Sequence, residues 1–229
     1  IERSPQVAIY HLCLARALAA NGGGNKAREV INAAAATLET DEDFYAKWAM
    51  NAGIFPDLGH VVEILHMGLK KYPQSAELRN HLAYALQQSD PGKALELWVA
   101  ATQLNPSHIG AYAGMARIHF SRGEFDQLVH VAERILQLSS KTPLLKNIAH
   151  LCALARRYDT AICLLNDYLQ QNPADVLAFA KLSLYYAENG QYDAALLGVK
   201  QIMSDQPQDP SIRAHLNKIH HIVQTHVLQ

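Results

Sequence analysis

A chain of 229 residues with 49% hydrophobic and 18% charged side chains has the composition of a folded protein and excludes a disordered one. Its formal charge of −1 names no nucleic-acid or other charged partner, so any electrostatic preference must come from how charge is distributed. Abundant Ala and scattered β-branched residues favour helices over sheets.

The predicted elements run in pairs. About residues 8–41, two amphipathic stretches are parted by "NGGGN" at 21–25, and the second carries Ala27 near its start. About 42–75 come Tyr45, Trp48-Ala49, then Leu58, Val61 and Leu65, closed by Pro73. The pair at about 76–108 is broken by "SDPG" at 89–92, resumes at Ala94 and closes on Pro106. The pair at about 109–141 holds Tyr112, Met115-Ala116, "SRGE" at 121–124, Phe125, Leu128 and Ile135, with Ser140 where a closing Pro is missing. About 142–175 it is Leu145, Ile148-Ala149, Tyr158, Ala161, Leu165 and Pro173. About 176–209, Phe179, Leu182 and Tyr186 fall at helical spacing, then "ENGQ" at 188–191, then Ala195, Val199, Ile202 and Pro207. The glycines of these four turns are expected to supply left-handed backbone at helix C-termini. A last apolar stripe, Ile212, Leu216, Ile219, Val223 and Val227, predicts a capping helix over about 210–227.

Two markers share one period. Pro73, Pro106, Pro173 and Pro207 are separated by 33, 67 and 34 residues, and 67 is two periods. The small or aliphatic residues Ala27, Val61, Ala94, Leu128, Ala161 and Ala195 are spaced 34, 33, 34, 33 and 34. This pattern resembles the tetratricopeptide repeat (TPR) family, whose unit has a large residue, Leu-Gly and Tyr, then after a turn Ala, Phe and a closing Pro. The resemblance covers nearly the whole chain. It implies an all-α, right-handed solenoid of about six helix-turn-helix units plus the capping helix, as a single domain over 1–229.

What the resemblance implies for function is a concave surface, lined by the first helix of each unit, that binds a peptide or protein segment. The family's groove positions put Arg16, Lys47, Asn80, His81, Tyr84, Arg117, Lys146, Asn147, His150 and Lys181 there, with His215 and Lys218 from the last helix. The charged members, Arg16, Lys47, Arg117, Lys146, Lys181 and Lys218, are all basic; adding the second position of each helix brings in Asp43 and Glu77 and softens the bias. Glu29, Glu63, Glu96, Glu133 and Asp167 fall on second helices, toward the outer face. The expected partner is therefore a protein segment, acidic in character, held by Arg and Lys against carboxylates and by Asn80 and Asn147 against backbone amides. His81 and His150 are expected to titrate near their ordinary value of about 6.5. Gly110, Ala113 and Gly114 read either as mere tolerance of small residues or as a notch for a bulky partner side chain, bordered by Tyr84, Arg117 and Phe120. The family's carboxylate clamp for chaperone C-termini is not reproduced, since Lys181 stands where its Asn belongs.

No catalytic motif of the forms GxxxxGK[ST], HExxH or GxSxG occurs, and the expectation is a non-enzymatic scaffold without catalytic residues, metal or cofactor. The alternative is a recognition or assembly arm of a larger enzyme, such as a glycosyltransferase, or of a bacterial secretion or polysaccharide-export machine. His215, His220, His221 and His226 lack the i, i+3 or i, i+4 spacing of a helical metal pair. Cys13, Cys152 and Cys163 form no CxxC and are odd in number, which argues against a disulfide framework and for a reducing compartment; Cys152 and Cys163 fall at core-like positions. No apolar run approaches the roughly 18 residues of a membrane span. The expected setting is cytoplasmic, without nucleic acid or membrane insertion, with self-association through the solenoid ends open. The start at Ile1 reads as that of a fragment or processed chain.

Overall fold

The computed structural model describes residues 5–37, 41–50, 58–138, 143–204 and 209–227. Among the described residues there are thirteen helices and no strand: α1 (Pro5–Ala20), α2 (Gly24–Thr37), α3 (Glu42–Met50), α4 (Leu58–Lys71), α5 (Ala76–Leu86), α6 (Pro91–Leu104), α7 (Ile109–Ser121), α8 (Phe125–Leu138), α9 (Leu144–Leu154), α10 (Tyr158–Gln171), α11 (Val176–Glu188), α12 (Tyr192–Ser204) and α13 (Pro210–Val227). This is the all-α repeat of helix hairpins that the periodicity predicts. The markers Ser140 and Pro207, and the side chains of Leu58 and Val227, lie outside the described residues. Contacts divide the chain into two compact units, Ile1–Gly114 and Met115–Gln229.

In the first unit Ala27, Val61 and Ala94, the small residues early in α2, α4 and α6, are fully buried. Close helix approach needs them small. Gly68 of α4 goes further: a Cβ there would press to 2.8 Å from the Tyr45 ring of α3. Ser75 caps α5 by accepting from Leu78 N–H at 2.9 Å, and its hydroxyl donates to Glu42 at the start of α3 over 2.6 Å. Asp90 caps α6 in the same way through Lys93 N–H, with Pro91 in the first turn. Gly92 therefore lies inside α6 and supplies no left-handed turn, unlike Gly22, Gly123 and Gly190, at φ 79°, 71° and 77°.

The notch expected at Gly114 is filled from within. Trp98 of α6 is fully buried; its indole N–H donates to Asn80 Oδ1 at 3.1 Å and its ring meets Tyr84 edge-on with centroids 5.2 Å apart. The indole lies against Gly114, where any Cβ would overlap it. Ala113 is also buried. The small residues make room for the chain's own tryptophan.

In the second unit Leu128, Ala161 and Ala195 are fully buried. Ile212, Ile219 and Val223 of α13 are buried, with Leu216 half-buried. They close the apolar face left by α11 and α12 through Ala180, Leu184, Ala187, Ala195 and Ile202. Cys152 is buried, and that burial pushes its thiol up to about 12, so it acts as a small hydrophobe. Cys163, expected in the core, is instead exposed, on the solvent side of α10.

Two outcomes follow from this packing. Gly114→Ala is expected to lower unfolding free energy by about 1–3 kcal/mol, because the indole cannot retreat without breaking its bond to Asn80. A Trp98→Leu background should shrink that penalty, and additive effects in urea titrations would disprove the contact. Deleting 210–229 exposes the faces of α11 and α12. The truncated chain should self-associate, as read by sedimentation, and a monomeric, equally stable product would show that α13 is no cover.

Candidate partner-binding surface

In the first unit the expected groove residues are largely tied up. Arg16 is exposed on α1. Lys47 is exposed on α3 but pairs with Asp43 at 2.6 Å, one turn away, and that hydrogen bond raises its pKa. Asn80 is only 5% exposed, and its carbonyl oxygen is occupied by Trp98, so that oxygen is not free for a ligand backbone. Glu77 stands between two histidines, 3.0 Å from His81 Nε2 and 2.9 Å from His108 Nε2. Tyr84 donates its hydroxyl to the Gly110 carbonyl at 3.0 Å.

In the second unit Arg117 is exposed on α7 and Asn147 on α9. Lys146 is half-buried. Its ammonium lies 2.8 Å from Asp175 and 5.3 Å from the Tyr168 ring centre, and the Asp175 hydrogen bond raises its pKa. Asp175 also caps α11 through Ala178 N–H and accepts the Tyr168 hydroxyl. Lys146 is thus a clasp between α9 and α11. The same reach, about one repeat, recurs in Asp126–Arg157 and Asp159–Asn189, both at 2.8 Å, and in Glu188–Lys218 at 2.6 Å.

Four of the expected side chains meet. His150 of α9, Lys181 of α11 and His215 and Lys218 of α13 line one cleft of about 250 Å³. The sequence reading missed its other walls: Arg156, Tyr158, Tyr185, Glu188, and the apolar Leu154, which is exposed. Three cations, Arg156, Lys181 and Lys218, face one carboxylate, Glu188, which already pairs with Lys218. Lys181 has no ionic partner among the described residues. A concave wall with an excess of positive charge focuses potential and favours an anionic group beside an apolar one. A signal for Arg156 was present in the sequence, since it stands in the turn after a first helix where "SRGE" and "ENGQ" place Gly123 and Gly190.

Solved structures of low sequence identity share this architecture. A tetratricopeptide repeat protein from Parabacteroides merdae matches at TM-score 0.59 and 14% identity, over 93% of this chain and 86% of its own. PilW, described as a widely conserved type IV pilus biogenesis factor, matches at TM-score 0.64 and 18% identity, over 93% of this chain and all of its own. YrrB, described as a TPR protein with an unusual peptide-binding site, matches at TM-score 0.57 and 14% identity, over 76% of this chain and 91% of its own. The chain has the tetratricopeptide-repeat fold. No protein-family model and no curated protein sequence matches it. Among the described residues of this TPR chain, no helix is long and apolar enough to cross a membrane, and no cluster of His, Cys, Asp and Glu has the geometry to hold a metal ion.

His81 and His150 of the TPR array depart from their expected ordinary titration. Burial lowers the pKa of His81, outweighing the attraction of Glu77. Burial also lowers that of His150, aided by the charges of Lys181 and His215. The folded chain therefore resists protonation that the unfolded chain accepts at the ordinary 6.5. Unfolding takes up protons between that value and the lower folded values. Stability is complete above the window and falls as pH falls through it. The urea midpoint should be lower at about pH 5.5 than at about pH 7.5, and His150→Gln should remove part of the decline. An unchanged decline in that variant would clear His150 of any part in it.

Proposed function

We propose that the protein is a non-enzymatic interaction scaffold that binds an acidic segment of a partner protein, with the α9–α11–α13 cleft as the principal contact. The observation that carries this reading is the meeting of Arg156 and Lys181 beside the Lys218–Glu188 ion pair, which leaves the cleft with excess positive charge next to exposed Leu154. A carboxylate entering the cleft meets cations in a partly dehydrated setting, and an adjacent apolar side chain covers Leu154. The fold shared with YrrB, whose description names a peptide-binding site, supports a peptide as the ligand. Arg16, Lys47 and Arg117 are exposed on first helices and belong to the wider basic surface of this proposal. Lys146 joins α9 to α11 through Asp175 and is a poorer ligand contact than its sign suggested.

A second reading, an assembly arm within a larger machine, is favoured by the likeness to PilW, which extends over the whole of that pilus biogenesis factor. The two readings share the cleft and differ in what carries the acidic segment.

The test is a pull-down with the chain as bait, followed by anisotropy on the recovered segment. Lys181→Glu should weaken binding about tenfold, and raising salt should weaken the wild type more than the variant. Equal binding by both, with no salt effect, would place the partner elsewhere.

A further inference from the structure

Four turns that follow a first helix share one backbone design. Gly22 N–H donates to Ala19 O at 3.1 Å and Gly23 N–H to Leu18 O at 2.8 Å. Gly123 and Glu124 repeat this on Phe120 and His119 at 3.1 and 2.9 Å, and Gly190 and Gln191 on Ala187 and Tyr186 at 3.1 and 2.8 Å. Arg156 and Arg157 do the same on Ala153 and Cys152 at 3.0 and 2.8 Å. The first residue of each bond pair is left-handed, at φ 79°, 71°, 77° and, for Arg156, 58°. In three turns it is Gly, which has no Cβ to clash. In the fourth it is Arg156, the one non-Gly residue with positive φ among the described residues.

The strained position is also where the charge is wanted. Arg156 borders the α9–α11–α13 cleft on one side and a broader depression of about 340 Å³ on the other. In that depression Arg157 is bound to Asp126 and Asn189 to Asp159, so its carboxylates already have partners. Arg156 has no side-chain hydrogen bond or ion pair among the described residues. The two backbone bonds hold the root of its side chain on a rigid turn at the mouth of the cleft. The backbone under the cation is set before a ligand arrives, so only the side chain loses freedom when it pairs. We infer that Arg156 is a specificity-determining contact for a carboxylate-bearing peptide, held at a glycine position at the expense of fold stability. This rests on the reading of the cleft as the partner site.

The experiment measures thermal unfolding and binding together on the full chain. The probe is a fluorescein-labelled peptide of glutamates flanking one leucine. Arg156→Gly removes strain and charge; Arg156→Gln removes charge and keeps the strain. Arg156→Gly should raise Tm by about 2–4 °C, while Arg156→Gln should not. Both should weaken the probe about three- to tenfold relative to wild type. A raised Tm with unchanged affinity for the Gly variant would overturn the inference, as would a lowered Tm. Lys181→Ala separates this from the cleft itself. If Lys181→Ala weakens binding and the Arg156 variants do not, the cleft stands and the role of Arg156 falls. If neither site matters, or wild type fails to bind up to about 1 mM, the cleft reading falls with it.

Discussion

A pair of three- to four-turn helices has more apolar surface than its two members can hide between them, and every other feature of this chain answers to that. Each hairpin must lay its face against the next, at a distance fixed by the residue at the crossing. Ala27, Ala94, Ala161 and Ala195 keep that distance short, and each is fully buried. Where closer approach is needed the side chain disappears, as at Gly68 under Tyr45 and Gly114 under Trp98. Each large side chain so buried contributes about 1.5–3 kcal/mol, and the contribution depends on a neighbour being in place. Where the pairs end, α13 supplies the missing neighbour for α11 and α12.

Stacked apolar faces specify contact but only loosely specify register. Polar clasps one repeat long add it. Glu42 reaches Ser75, Glu77 reaches His108, Asp126 reaches Arg157, Lys146 reaches Asp175 and Glu188 reaches Lys218. Several are at surfaces and individually weak. Those that use a helix cap join two tasks in one side chain. Ser75 and Asp175 each satisfy the first turn of a helix and hold the previous unit. Lys146 and Lys218 are half of such clasps, so their charge is largely neutralised within the fold.

That division explains what the sequence made legible. Burial at helical spacing is written locally, so Leu145, Ile148 and Ala149 announce a helix and its inner face without knowledge of any neighbour. The partner of a charge is not local. Lys146 reads as a free cation because Asp175 is 29 residues away, and Asn80 reads as a ligand-binding amide because Trp98 is 18 away. A row of small residues at Gly110, Ala113 and Gly114 reads as empty space for the same reason. Titration fails likewise. His81 and His150 read from the sequence as groove-facing positions of their helices, and only the packing of adjacent elements shows that burial lowers them. Cys163 shows the reverse error, an apolar-looking position left in solvent.

Local rules in this chain agree with one another in many places: caps at the starts of α3, α5, α6 and α11, glycine at three left-handed turns, small residues where helices cross. Such agreement makes a break in the pattern informative. Arg156 breaks it in a turn whose hydrogen bonds match those of three glycine turns, so the backbone itself offers no reason for the side chain. In our proposal the reason lies in what the guanidinium faces. It faces a cleft where Lys181 stands without an ionic partner among the described residues and Glu188 is already paired. A cation with an internal partner stabilises the fold it sits in. On the proposed reading, a cation kept in a strained turn without one has its compensation outside the chain, in the ligand that would complete the cleft.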